Sequence, residues 1–259
     1  MNALPPNFWT SLPLGPNVEM LDHDANGVAA LAKPAGILSH PNMRGEEPRS
    51  LLNAPYTLDG EFYEWTPVEC EKNTGVPRRL YLLNRLDSAT SGVILVAADE
   101  ALAKSIRAEF KRKQVRKIYN ALVFGQPSQS LQIWRDRLVV EKSRGKIRTG
   151  TGGNIHAEAR MSVLRQRRHK EPLLALLKLE PHTGRSHQLR VQCAQRHLHI
   201  VGDSTYGNFR RNREFLKMTG NKRLFLHSLQ TSFDYEWSGK NFYFTATAPL
   251  PEEFSRFIL

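Results

Sequence analysis

The sequence predicts an α+β fold on three observations: hairpin-like strand pairs outnumber helical stretches, the strongly amphipathic helix falls among strands, and no regular βαβ rhythm recurs. Residues 1–17, "MNALPPNFWTSLPLGPN", form a proline-rich arm, and residues 18–259 are expected to form one catalytic domain. The segment 18–41 reads as two short strands around the polar turn "DHDANG", closed by a tight bend at Pro34 and Gly36. Residues 42–82 are polar and irregular apart from "TLDGEFYEW", a hairpin pattern about Asp59-Gly60. "LNRLDSATSG" (83–92) is turn-like and leads into the apolar strand "VILVAA".

Asp99 is the expected N-cap of a helix over 100–117. There Leu102, Ile106 and Phe110 recur at four-residue spacing, and Lys104, Arg107, Lys111, Arg112, Lys113, Arg116 and Lys117 load the polar face and last turn. "KIYNALVFG" (117–125) follows as a strand. Residues 126–155 read as a basic loop whose "TGTGGN" is a flexible tip, and 156–181 as a two-stranded hairpin turned at "RQRRHKEP". "SHQLRVQCAQRH" is a short helix, and 223–249 a closing hairpin turned at Ser238-Gly239.

Lys plus Arg exceed Asp plus Glu by 37 to 25, a formal net charge of +12, so the field of the protein attracts polyanions. Nucleic acid leads the partner classes, the plain alternative being solvated surface charge. Cys70 and Cys193 are too few for a disulfide framework or a four-cysteine zinc site, which favours a reducing compartment. With neither a signal-peptide pattern nor an apolar run long enough to span a membrane, the expectation is a cytoplasmic monomer that binds no membrane. His187, Cys193, His197 and His199 match no standard zinc spacing, and no glycine-rich loop ends in the Lys-Ser/Thr of a phosphate-binding loop. Neither a metal site nor a nucleoside-triphosphate enzyme is expected.

What remains is a carboxylate and cations on separated segments. Asp87 can be a turn-forming Asp that caps local N–H groups, or a carboxylate held out to react. Arg190 in "HQLR" can be a surface or phosphate-binding arginine, and Tyr119 a core tyrosine with its hydroxyl at the rim. In chain order, "LAKPAGILSHP", "NRLDSATSGVILVA", "KIYNALVFG", "PHTGRSHQLRVQCAQRHLHIVGDSTYG" and "RLFLHSLQTSF" resemble the motifs of the RluA-like family of RNA pseudouridine synthases. The likeness covers residues 18–248.

The resemblance implies the pseudouridine synthase fold, a mixed and mostly antiparallel central sheet flanked by helices and loops, with a catalytic cleft. It also implies isomerisation of uridine to pseudouridine in structured RNA, without cofactor or metal. Asp87 falls on the family's essential Asp. Ionised at neutral pH, it needs no partner base to act as nucleophile, at C6 of the uracil or at C1′ of the ribose. Arg190 falls on the arginine expected to pair with it. Tyr119 falls on the tyrosine expected to stack on the target base, with its hydroxyl a candidate for taking the C5 proton. Arg85 resembles the arginine that fills the space left by a flipped nucleotide, although Asn84 stands where relatives commonly carry His. Arg185 is assigned to substrate binding, and Leu224 and Leu226 to the apolar pocket wall.

Only about 17 residues precede the first motif, so the additional N-terminal RNA-binding module of many relatives is expected to be absent. Phosphate contacts then fall to the basic helix, to 135–150 and to "RQRRHK". The segment 202–215 resembles the tRNA-modifying members, which tilts the expectation towards tRNA over rRNA. The competing readings are an RNA-binding or RNA-remodelling protein of the same fold with little activity, and a metal-dependent nuclease.

Overall fold

In the computed structural model, residues 4–67, 76–143, 146–167, 169 and 171–258 are described. The chain divides into two compact units, Met1–Val115 with Ser232–Ala248, and Arg116–Thr231 with Pro249–Leu259. The fold is α+β, as expected, with a mixed, mostly antiparallel sheet.

In the first unit β1 (Glu19–His23) and β2 (Val28–Lys33) form the expected hairpin. Its turn is held by Asp24, whose Oδ1 accepts from the N–H groups of Asn26, Gly27 and Val28 at 2.9 Å each. β3 (Tyr56–Thr57) and β4 (Phe62–Trp65) flank the Asp59-Gly60 turn, and β5 (Arg78–Leu82) pairs with β4. β6 (Ser91–Ala97), the "VILVAA" strand, is buried at every position because both its faces are covered, so its sequence is continuously apolar instead of alternating. β2 pairs with β6 from Val28↔Ala97 to Lys33↔Gly92.

Helix α1 (Glu100–Arg112) lays Leu102, Ala103 and Ile106 on the core of Val28, Val93, Leu95, Phe233, Tyr235 and Phe244. The Asp99 side chain accepts from the Leu102 N–H at 2.8 Å, as its N-cap position predicts. The helix ends five residues before the expected boundary. Lys113 turns left-handed (φ 63°) and the chain enters β7 at Arg116, so Arg116 and Lys117 are strand residues. Arg107 donates to the carbonyls of Leu82 and Glu61 and ties the helix to β5.

The proline-rich arm belongs to this unit. Phe8 and Leu12 are buried, and Gly15 donates its N–H to the Leu51 carbonyl (2.8 Å).

In the second unit β7 (Arg116–Phe124), β11 (Leu174–Pro181), β10 (Ile155–Arg167), β8 (Leu131–Ser143) and β9 (Lys146–Thr151) pair in that order. The expected hairpin over 156–181 is β10–β11; Arg168 and Lys170 of its turn lie outside the described residues. The basic loop expected over 126–155 is instead largely strand. Thr149, Gly150 and Thr151 pair with Val140, Val139 and Leu138, and a side chain at Gly150 would meet Val139 Cγ1 at 3.2 Å. Gly150 admits this close strand approach, and Gly152 at φ 82° turns the chain from β9 towards β10.

α2 (Gln188–Gln195) is the expected short helix. α3 (Phe209–Thr219) was not expected: it is capped by Asn208, whose side chain accepts from the Arg211 N–H (3.0 Å), and is held by Phe215 among Phe124, Phe225 and Phe257. Strand β12 (Leu226–Trp237) passes from this unit into the first and turns at Ser238 and Gly239, both at positive φ, into β13 (Lys240–Thr247). The chain closes with the short α4 (Glu252–Arg256). Among the described residues no helix is long and apolar enough to cross a membrane.

Candidate active site

In the first unit Asp87 lies on the loop between β5 and β6, fixed at three points. The Asn84 side chain accepts from the Leu95 N–H (2.7 Å), anchoring the start of the loop to β6. Ser39 Oγ accepts from the Leu86 N–H (3.0 Å) and donates to the Leu86 carbonyl (2.8 Å), while the Ser39 carbonyl accepts from the Tyr63 hydroxyl (2.8 Å). The Thr90 N–H donates to the Asp87 backbone carbonyl (3.0 Å), which closes the turn.

The third anchor is Lys33. It is 1% exposed, and its ammonium donates to the carbonyls of Pro34 (2.9 Å), Ile37 (2.7 Å) and Ser88 (3.0 Å). A buried cation is tolerated only when carbonyl dipoles replace its hydration, and here they lock the Pro34–Ile37 bend to the residue after Asp87. Lys33→Met is expected to cost roughly 2–4 kcal/mol through loss of these charge-assisted bonds, read as a lower urea midpoint with unchanged slope. A midpoint within experimental error of wild type would refute the anchoring role.

Asp87 is partly buried. Arg85 is exposed, and its Nη1 stands 3.4 Å from Glu61 Oε1, a solvent-screened pair of two residues each more than a third exposed.

In the second unit Arg190 is 7% exposed and makes a two-pronged pair with Asp203: Nε to Oδ2 and Nη2 to Oδ1, each 2.8 Å. Asp203 Oδ1 also accepts from the N–H groups of Thr205 (2.8 Å) and Tyr206 (2.9 Å), and the Tyr206 ring lies 5.1 Å from the Arg190 guanidinium carbon. Burial pushes the Asp203 carboxyl up, but the Arg190 guanidinium and the two backbone donors outweigh it, leaving it below the usual carboxylate range. The Tyr206 hydroxyl in turn accepts from the Thr149 N–H (2.8 Å) and bonds to His187 Nδ1 (2.8 Å), so β9 and α2 are fastened to the same group.

Gln188 stiffens the "HTGR" loop ahead of α2. Its Oε1 accepts from Thr183 Oγ1 (2.7 Å) and from the Arg185 N–H (3.1 Å). Arg185 itself is exposed and donates from Nε to the His156 carbonyl (3.3 Å).

Tyr119 sits on β7 opposite Leu179 and is partly buried. Leu122, three residues on, is a junction: it donates to the Phe225 carbonyl (3.0 Å) and accepts from the Val201 N–H (2.9 Å). The strand of Tyr119, the turn of Asp203 and the segment of Leu224 and Leu226 are therefore hydrogen-bonded together. Leu224 and Leu226 are 3% and 4% exposed. At Gly202 (φ 75°) the turn presses on this segment, since a Cβ there would lie 1.7 Å from the Arg223 carbonyl oxygen. Asn212 of α3 completes the turn by accepting from the Gly202 N–H (2.9 Å) and donating to the Asp203 carbonyl (3.0 Å).

Of the residues singled out from the sequence, Tyr119, Arg185, Arg190, Leu224 and Leu226 lie in the second unit and Arg85 and Asp87 in the first. The sequence reading did not single out Lys33, Asp203, Tyr206 or Asn212. Asp203 carried a local signal, an Asp two and three residues before N–H groups in the glycine-bounded "GDSTYG". Among the described residues no group of three or more His, Cys, Asp or Glu is arranged to hold a metal ion.

The model of the family described as RNA pseudouridylate synthase matches residues 27–195. A tRNA pseudouridine synthase C of Yersinia pestis is 30% identical over 227 residues, 85% of this chain and 82% of that relative. A ribosomal large subunit pseudouridine synthase C of Vibrio parahaemolyticus is 33% identical over 164 residues, 62% of this chain, and the chain spans about half of that relative (50%). Among solved structures, human RNA pseudouridylate synthase domain containing 4 superposes with a TM-score of 0.63 over 92% of this chain and 90% of that one, at 23% identity, a likeness of fold.

Proposed function

The chain belongs to the RNA pseudouridylate synthase family and is an isomerase that converts uridine to pseudouridine in RNA; we propose that its substrate is tRNA and that Asp87 is the nucleophile. The choice of tRNA rests on one observation. The relative named for tRNA is matched over most of both chains, whereas the one named for the ribosomal large subunit is matched over half its length.

In this reading the target nucleotide leaves its stack and Arg85 fills the space it vacates. Tyr119 stacks on the uracil. Asp87 attacks at C6 or C1′ and the N1–C1′ glycosidic bond breaks; the uracil turns, C5 bonds to C1′, the Asp87 carboxylate leaves the carbon it had attacked, and N1 takes up a proton. The C5 proton then leaves, with the Tyr119 hydroxyl as the candidate acceptor. Arg190 is the partner that aims Asp87, Arg185 contacts substrate, and Leu224 and Leu226 wall the base. No cofactor or metal takes part. A reducing, cytoplasmic setting accords with Cys193, which is buried and whose thiol is pushed up by that burial.

Mapping pseudouridine in total RNA from cells with and without this protein tests the substrate. A site lost from tRNA supports the reading, and a site lost only from ribosomal RNA overturns it. The exposed end of α1 supplies a second check. Charge reversal of Lys111, Arg112 and Lys113, all exposed, is expected to flatten the dependence of log K for RNA on log salt by about two to three units. An unchanged slope would place that helix end away from the RNA.

A further inference from the structure

On β7 side chains alternate between two faces, so Arg116, Ile118 and Asn120 share one face while Lys117 and Tyr119 share the other. On the first face the cations are matched: Glu180 receives Arg116 Nη2 at 3.0 Å and Lys178 Nζ at 3.0 Å. On the second face Lys117 has no such match, since among the described residues neither a hydrogen bond nor an ion pair reaches its ammonium. It is partly buried, and desolvation alone pushes the ammonium below the usual lysine range.

The space beside the ammonium is kept open by a glycine. A Cβ on Gly184 would stand 3.4 Å from Lys117 Nζ. The next residue, Arg185, adds a second exposed cation fixed through Nε to the His156 carbonyl. A desolvated cation left uncompensated in the free protein costs stability, and binding an anion removes that cost, so the gain appears as affinity. The strand also carries Tyr119, and RNA is the substrate; the anion RNA offers beside every base is its phosphodiester. Lysine meets it as a point charge.

We propose that the Lys117 ammonium binds a backbone phosphate of the RNA next to the target uridine, an assignment that rests on Tyr119 being the residue that receives the base. Lys117 then binds substrate and transition state alike, acting on KM and not on kcat.

The test measures binding over a salt series with whichever of two probes, unmodified tRNA transcripts or a ribosomal RNA fragment, the wild type binds more tightly. Lys117→Met is expected to weaken binding about tenfold and to lower the salt slope by about one unit, while Lys117→Arg keeps the slope. Lys178→Met, on the opposite face, is expected to leave it unchanged. The thermal midpoint of Lys117→Met should equal or exceed that of wild type, because removing an unmatched cation leaves no partner behind.

An unchanged slope in Lys117→Met overturns the assignment, as does an equal drop in Lys178→Met. So does a loss of turnover at saturating RNA with affinity intact, which would make Lys117 a proton-transfer group. Misfolding of Lys117→Met would make the residue structural and also overturns it. Variants that show these binding effects, beside a wild type that forms no pseudouridine, would instead sink the functional reading and leave Lys117 as a contact to an RNA phosphate.

Discussion

Asp87→Asn is expected to lower pseudouridine formation by at least about a thousandfold while RNA binding stays within a fewfold of wild type. The amide keeps the size and partial burial of the side chain but lacks the negative charge, and its carbonyl oxygen is a far weaker nucleophile. The anchors of its loop, Asn84 to Leu95, Ser39 to Leu86 and Lys33 to Ser88, do not involve the Asp87 carboxylate, so the loop should persist. Single-turnover assays on RNA labelled in uridine separate the two effects. Product at a tenth of the wild-type rate would remove Asp87 from the nucleophile's role.

The second large effect belongs to Asp203. Its carboxylate is 1% exposed and holds two prongs of Arg190, so Asp203→Asn breaks a buried pair and is expected to cost about 3–5 kcal/mol. Turnover should fall on the order of a hundredfold with RNA affinity little changed, because what is lost is the aim of Arg190 and not a contact with RNA. Arg190→Met should show the same division between kcat and KM. The sign of the pH effect follows from the lowered Asp203 carboxyl. Its contribution is complete above the ordinary carboxylate value near about 4 and is lost as pH falls through the lower folded value. Wild type should therefore lose stability on acidification below about pH 4 more steeply than Asp203→Asn. Parallel acid curves, or weakened RNA binding at constant turnover, would refute the positioning role of Asp203.

Much of this architecture was legible because its signals are local. The Asp99 cap, the Ser238-Gly239 turn and the alternation of 156–181 each act within a few residues, and the structure holds them where the sequence puts them. The misreadings share another cause. "TGTGGN" looked mobile because glycine was taken as freedom, whereas Gly150 and Gly153 lie against Val139 and Leu138 and serve strand packing. The helix over 209–219 was missed because its apolar stripe is thin: only Phe215 is buried, and its caps, Asn208 and Gly220, are the clearer marks.

Site residues divided in the same way. The candidates that stand in compact motifs, Asp87, Tyr119 and Arg190, could be put forward from the sequence because those motifs resemble a known family's. Lys33 and Asp203 act through partners 55 and 13 residues away, Ser88 and Arg190, and only tertiary structure discloses such pairings.

Gly202 sets a limit on engineering this protein. Elsewhere, replacing glycine with alanine narrows the unfolded ensemble and gains about 0.4–1 kcal/mol where the native backbone permits it. At position 202 that route is closed twice over, by a left-handed backbone and by a carbonyl oxygen occupying the volume a methyl would need. Thermostabilised variants will have to draw their gains from other positions and carry the entropy of this residue unchanged.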